Sequence, residues 1–238
     1  MSKPIRNIHQ IKGGKQKVSV IILAAGMTAG GKYLGNKSLL PLNTKKTILE
    51  TQIETITKAI PNVEIVLVSG FESDRVMNHC GNNIICVENE RYKETNTTRS
   101  LGMGLRAATA DRVIVIYGDM IFNPITINRL DVNASTVLFN DSFDHTSVGC
   151  VVNDKGTLEN LMYGVGKEWI QIFSLVGEEL DRMRSICWDR RNEKLLGFEA
   201  INKIVSAGGT FSCLTNKNIV ALDVDDIQDF KKAKKIIL

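Results

Sequence analysis

Along the first half of the chain, short unbroken apolar runs alternate with segments in which apolar residues recur every three or four positions. Residues 18–25 form the first such run, β-branched and continuous, as a strand buried on both faces requires. Residues 47–60 place Ile48, Ile53, Ile56 and Ile60 at helical spacing, and Pro61 ends the pattern. Residues 63–69 and 84–88 read as further buried strands, 100–108 as a helix with Ser100 at its N-cap, and 112–117 as a strand running into Gly118-Asp119. Alternation of this kind through residue 122 predicts an α/β protein with parallel strands joined by crossovers. Ligands of such open sheets sit beyond the carboxyl ends of the strands. The pattern therefore directs attention to Gly26 onward, Ser69-Gly70 and Asp119.

Beyond Val137 the periodicity loosens. Strands are expected at 149–153, 170–175, 211–214 and 219–222, and helices at 178–186, 196–207 and 226–236. Residues 1–17 lack periodicity and read as a flexible basic leader, and residues 18–238 as one domain whose 140–215 region is the most variable in character.

Composition narrows the function classes. Hydrophobic residues make up 43% and charged residues 24%, an ordinary globular balance with enough apolar material for a sizeable core. The net charge of +4 is modest. Without a dense basic stripe in the folded region, nucleic-acid binding is not expected. Lysines near each terminus read as a solvated tail and a solvated helix face. Five scattered cysteines without zinc or redox spacing read as free, mostly buried thiols of a reducing compartment. No apolar run is long enough to cross a bilayer, and the N-terminus carries no apolar signal region, so a cytoplasmic location is expected and no membrane partner.

The segment from Leu23 to Leu42, LAAGMTAGGKYLGNKSLLPL, is the most informative. Small residues after a buried strand let backbone N–H groups approach phosphate oxygens. A P-loop would need Ser or Thr after Lys32 to hold Mg²⁺ and a helix to follow, but Tyr33 stands there and Gly35, Asn36 and Pro41 come next. Leu23-Ala24-Ala25-Gly26 with Lys37-Ser-Leu-Leu-Pro-Leu42 instead resembles the signature of nucleotidyltransferases with a GT-A-like Rossmann fold, of the MobA and sugar-nucleotidyltransferase kind. The resemblance implies a three-layer α/β/α Rossmann-like fold with a mostly parallel central sheet. It also implies a loop, Leu23 to Thr28, that wraps the triphosphate, with Lys37 at the reacting phosphates. Thr28 replaces the second glycine of the pattern, Gly30 stands at the arginine position and Asn36 at the proline before the lysine. Lys32 is the candidate to supply the arginine's charge, as a point charge rather than a fork.

Three further segments match in order. Asn89-x-x-Tyr92-x-x-Thr95-Asn96-x-x-x-Ser100-Leu101 resembles the segment that lines the base and ribose pocket, and is most similar to bacterial choline-phosphate cytidylyltransferases. Gly118-Asp119 falls on the family's metal-binding aspartate, a placement that suits Mg²⁺. Asp223-Val-Asp225 falls on the closing strand, which implies Asp225 as the second metal carboxylate with Asp223 beside it. Strand-end aspartates and polar caps also serve as ordinary turn formers.

The implied activity is Mg²⁺-dependent transfer of a nucleotidyl group from CTP to a small phosphorylated acceptor of phosphocholine type, with release of pyrophosphate. The chemistry asks for positioning and charge neutralisation rather than a nucleophilic side chain. That agrees with the isolation of His9, His79 and His145 along the sequence. Gly70 joins the nucleotide-binding set as a strand-end glycine. Acceptor candidates are Tyr163, Trp169, Arg182, Trp188 and Glu199, with Arg184, Arg190 and Arg191 nearby. Aromatic faces can box a quaternary ammonium and arginines can clamp phosphate, although each is equally an ordinary core or surface residue. A sugar-1-phosphate nucleotidyltransferase and a catalytically silent nucleotide-binding subunit are the alternatives, and a homo-oligomer is compatible with all three.

Overall fold

The structure is a computed structural model that describes residues 17–26, 35–43, 45–130, 133–141, 145–215, 220–224 and 229–232. Its elements run β1 (Val18–Ala24), α1 (Ile48–Ala59), β2 (Glu64–Ser69), α2 (Ser73–Asn78), β3 (Ile84–Glu88), α3 (Thr97–Ala107) and β4 (Arg112–Tyr117). There follow β5 (Met120–Phe122), α4 (Pro124–Asn128), β6 (Thr136–Asn140), β7 (Val148–Val152), β8 (Leu158–Tyr163) and β9 (Glu168–Val176). The chain continues through α5 (Gly177–Trp188), α6 (Gly197–Ser206), β10 (Ser212–Leu214) and β11 (Ala221–Asp223).

The main sheet has the order β10-β6-β9-β4-β1-β2-β3, with β7 and β8 attached beside β9. Strands β4, β1, β2 and β3 are parallel to one another, and β9 runs antiparallel between β4 and β6. Every residue of β1 is buried, which explains why all but Ser19 are apolar. Period-two alternation splits the central strands between two cores. Ile21, Leu23, Val66, Val68, Val113 and Val115 pack under α3, α5 and α6. Val20, Ile22, Ile65, Leu67, Ile114 and Ile116 pack under α1, α2 and α4. The protein is thus a three-layer α/β/α structure with a mostly parallel central sheet, as the sequence implied.

Helix α1 starts where its chemistry says it should. Thr47 accepts from Glu50 N at 3.2 Å while Glu50 accepts from Thr47 N at 2.7 Å, a reciprocal cap. Other expectations need correction. Ser100 does not cap α3: Asn96 does, its side chain accepting from Thr97 N, and Ser100 lies in the first turn. Strand β3 is not buried on both faces. Among the described residues it pairs only with β2, and Ile85 and Cys86 are exposed. Of the cysteines, Cys150 and Cys187 are buried, Cys80 and Cys213 half-buried, and Cys86 exposed. The closing helix was expected over 226–236; within the described residues 229–232 are helical.

Candidate active site

The parallel register brings three strand ends level: Leu23 lies beside Val68 on one side and Tyr117 on the other. Gly118 N donates to Leu23 O at 2.9 Å, closing β4 onto β1 just before Asp119. A Cβ at Gly118 would stand 2.9 Å from the Ala24 Cβ, so this approach requires glycine.

Asn36, where the family pattern has proline, is a buried clamp. Its Nδ2 donates to Ala24 O at 3.0 Å and Phe71 O at 2.9 Å, which ties it to the ends of β1 and β2. Its Oδ1 accepts from Ser38 N at 3.1 Å and Ser38 Oγ at 2.7 Å, and its own N–H donates to Glu72 at 2.8 Å. The short 3₁₀ turn Lys37–Leu39 that it caps delivers Lys37, whose Nζ lies 3.2 Å from Asp119 Oδ2.

A cavity of about 280 Å³ opens between these strand ends and the loop before α3. Leu23, Ala24, Ala25, Gly26, Lys37, Gly118 and Asp119 form one wall, and Thr95, Asn96 and Ser100 the other. Asn89 holds the second wall together. It is buried, and its Nδ2 donates to Thr95 Oγ1 at 3.1 Å and Ser100 Oγ at 3.0 Å. Two of the hydroxyls that line the cavity, those of Thr95 and Ser100, are therefore set by one amide.

A second cavity, of about 770 Å³, adjoins the first, and Thr97, Tyr117 and Asp119 line both. Burial pushes the Tyr117 phenol up, and the carboxylates of Asp119 and Asp223 add to the shift against a hydrogen bond from Thr97. Tyr117 therefore stays protonated and is no base. Gly197 makes room for its hydroxyl: a Cβ there would fall 2.1 Å from that oxygen. Tyr163 and Trp169 line the second cavity, Tyr163 edge-on to Phe198 and Trp169 edge-on to Tyr117, at 5.6 and 5.8 Å between ring centres. Glu168, Asp223 and Asp229 add negative charge, and Lys232 a cation.

Asp223 reaches this cavity through β11, which pairs antiparallel with β5 so that Asp223 faces Met120, the neighbour of Asp119. Val224 N donates to Asp119 O at 3.2 Å and closes the same corner. Two carboxylates 104 positions apart thus share one cavity. Oxygen donors of this kind fit Mg²⁺, which takes one or two carboxylates together with substrate phosphates. Among the described residues no group of three or more metal-binding side chains occurs.

Other predicted positions fall elsewhere. Gly70 is packed so closely behind Ala25 and Tyr92 that a Cβ would meet Ala25 O at 2.8 Å. Arg182 is spent on Ala207 O at 2.7 Å and on Glu178, Arg184 on Asp181, and Arg191 on Asp189. Trp188 is exposed at the end of α5, and Glu199 caps α6 by accepting from Leu196 N at 2.7 Å. None of these lines either of the two joined cavities. Met27, Thr28, Lys32 and Asp225 lie outside the described residues. His79 is a surface residue, 3.2 Å from Glu50. Among the described residues no helix is long and apolar enough to cross a membrane. Sequence reasoning missed Asn36, Asn89, Tyr117 and Gln171 as site residues. Asn89 alone carried a signal, as the first position of its motif.

The site joins a glycine-bearing strand end, a lysine set against a strand-tip carboxylate and a polar loop facing both. Residues 20–168 match the MobA-like NTP transferase domain, and the chain belongs to that family. No curated protein matches it in sequence. Among solved structures it is similar to the CTP:phosphocholine cytidylyltransferase of Streptococcus pneumoniae, with a TM-score of 0.75 at 17% identity over 93% of this chain and 100% of that one. It is also similar to the inositol-1-phosphate CTP transferase of T. maritima, with a TM-score of 0.71 at 17% identity over 93% and 96%. HddC of Yersinia pseudotuberculosis, solved with GMP-PN, gives a TM-score of 0.71 at 16% identity over 92% and 99%. At these identities the likeness is one of fold.

Proposed function

We propose that the protein transfers a cytidylyl group from CTP to a small phosphorylated acceptor with a cationic head, of phosphocholine type. The observation that carries this reading is the meeting of two cavities at Asp119, with Lys37 held against that carboxylate. In the reaction an acceptor phosphate oxygen attacks the α-phosphorus of CTP, a new P–O bond forms, the bond to the bridging oxygen of the β-phosphate breaks, and pyrophosphate leaves. Lys37 balances charge on the reacting phosphates, and the backbone at Ala24–Gly26 supports the triphosphate. The cytidine preference draws on the two CTP-using enzymes of similar fold and on the Asn89–Ser100 segment.

Asp119, Asp223 and, from the sequence motif, Asp225 are the residues that would hold Mg²⁺. The ion would supply charge neutralisation at the phosphates. Aromatic faces at Tyr163 and Trp169 beside Glu168 and Asp223 suit a cationic head group. The charged groups of the second cavity also suit a polyhydroxylated acceptor, which keeps sugar 1-phosphates as the second reading.

The test is pyrophosphate release with each of the four NTPs against phosphocholine, phosphoethanolamine, inositol 1-phosphate and hexose 1-phosphates, with and without Mg²⁺. CTP with phosphocholine or phosphoethanolamine should give the highest kcat/KM. Turnover confined to hexose 1-phosphates would replace the acceptor assignment. Nucleotide binding without pyrophosphate release from any pair would identify a silent nucleotide-binding protein.

A further inference from the structure

Gln171 stands inside β9 with φ at +53°, the left-handed region that side chains other than glycine and asparagine seldom adopt. The other left-handed non-glycine residues, Asn62, Glu72 and Lys167, flank elements rather than interrupt one. The pairing of β9 with β6 slips at this point: Val137 faces Phe173, but Phe139 faces Trp169, so β9 carries surplus residues between them. Pairing with β4 likewise stops at Ile172. Such bulges re-aim side chains and are frequent beside active sites.

Regular alternation would put Gln171 on the face of Trp169 and Phe173, within the core under α3, α5 and α6. The left-handed residue turns its amide instead to Asp223, to whose Oδ2 the Nε2 donates. Glycine would adopt this backbone at no steric cost. A glutamine here is accounted for by what its amide does. Backbone strain that persists at a cavity wall is a pointer to function, and Gln171 lines the second cavity beside Asp119 and Asp223.

We propose that Gln171 is a positioning residue: the bulge in β9 aims its amide at Asp223 and fixes that carboxylate facing Asp119, so that the two together hold a divalent cation. This rests on the transferase reading of the site and adds to it the outer partner that orients the carboxylate. A carboxylate that accepts a hydrogen bond on one oxygen presents the other in a fixed direction, and loss of such partners weakens metal binding by roughly 10–100-fold.

The experiment measures Mn²⁺ affinity of the full chain by electron paramagnetic resonance, for the wild type, Gln171→Gly and Gln171→Met, together with thermal unfolding. Gln171→Gly relieves the backbone and removes the amide. Gln171→Met keeps a side chain of similar length and the same backbone demand, so it carries the test should the glycine variant fail to fold. The expected result is Mn²⁺ binding weakened by about 10-fold or more in both variants, with Gln171→Gly melting no lower than the wild type. Mn²⁺ affinity within about twofold of wild type in both variants overturns the proposal. Affinity losses that track equal losses of melting temperature overturn it too, because they report the fold. A wild type that binds no Mn²⁺ and releases no pyrophosphate overturns the transferase reading together with it. A wild type that does both, with variants that bind Mn²⁺ equally well, overturns the role of Gln171 alone.

Discussion

Lys37 and Asp119 lie 82 positions apart and meet at 3.2 Å because two different elements end at the same edge of the sheet. Both were legible as single residues, Lys37 from its place in the K-S-L-L-P run and Asp119 from its position after an apolar strand. Lys37→Ala and Asp119→Asn should each lower kcat/KM by about 10²–10³-fold, the usual scale for loss of one charge-stabilising group. A pyrophosphate-release assay with unchanged far-ultraviolet circular dichroism checks this. The hold on Lys37 was not legible, since Asn36 looked like a mere departure from a proline. Asn36→Ala leaves Ala24 O and Phe71 O without their buried donor. It should destabilise the fold by about 1–3 kcal/mol in urea denaturation and also reduce turnover. A variant unchanged in both would show that Asn36 does not carry the lysine.

At the scale of elements, the long periodic segments were readable, and of the short strands β10 and β11 were expected to within a residue or two while β5 was not. β1, α1, β2 and β4 carry enough consecutive signal to be assigned alone. β5 and β11 are three residues each and exist because they pair with each other across the site corner. Helix α6 begins at Gly197, directly over the Tyr117 hydroxyl. Gly197→Ala would force the two apart, at a cost of about 1–3 kcal/mol. Because Tyr117 lines both cavities, KM for both substrates should rise, and steady-state kinetics reads this. Edge strand β3 makes a separate prediction. Cys86 is exposed there, whereas burial pushes the Cys187 thiol up to about 12. Iodoacetamide should therefore label Cys86 first and leave Cys187 untouched until the protein unfolds, as peptide mass spectrometry would show.

Across the whole molecule, one stabilising cluster lies at the end of the sheet opposite the site. Glu64 opens β2 far from the strand tips and joins β1 and the α3–β4 connection, accepting from Ser19 Oγ, from Thr109 N at 2.8 Å and from Thr109 Oγ1 at 2.7 Å. Burial alone would raise its pKa, but these hydrogen bonds outweigh it and leave the group below its ordinary 4.5. With the folded value below the unfolded one, its stabilisation is fully present above 4.5 and is lost as pH falls through the lower folded value. Glu64→Gln should therefore show a shallower loss of melting temperature on acidification below 4.5, with neutral-pH kinetics unchanged. An identical acid profile would remove Glu64 from the account.

The sequence by itself determined the fold class, because a strand buried on both faces and an amphipathic helix leave different periodicities. It also brought out most of the residues that line the first cavity, because they sit in contiguous motifs at strand ends. Only the tertiary structure decided the rest. It separated Tyr163 and Trp169 from Arg182, Trp188 and Glu199, which composition could not rank. It supplied the pairing of β11 with β5 that brings Asp223 to the corner of Asp119, a partner that no pattern along the chain names. It also revealed Asn36 and Gln171, whose roles are hydrogen bonds to residues distant in sequence. Local periodicity reports which face of an element is buried, and it carries no information about which distant polar atom that element will meet.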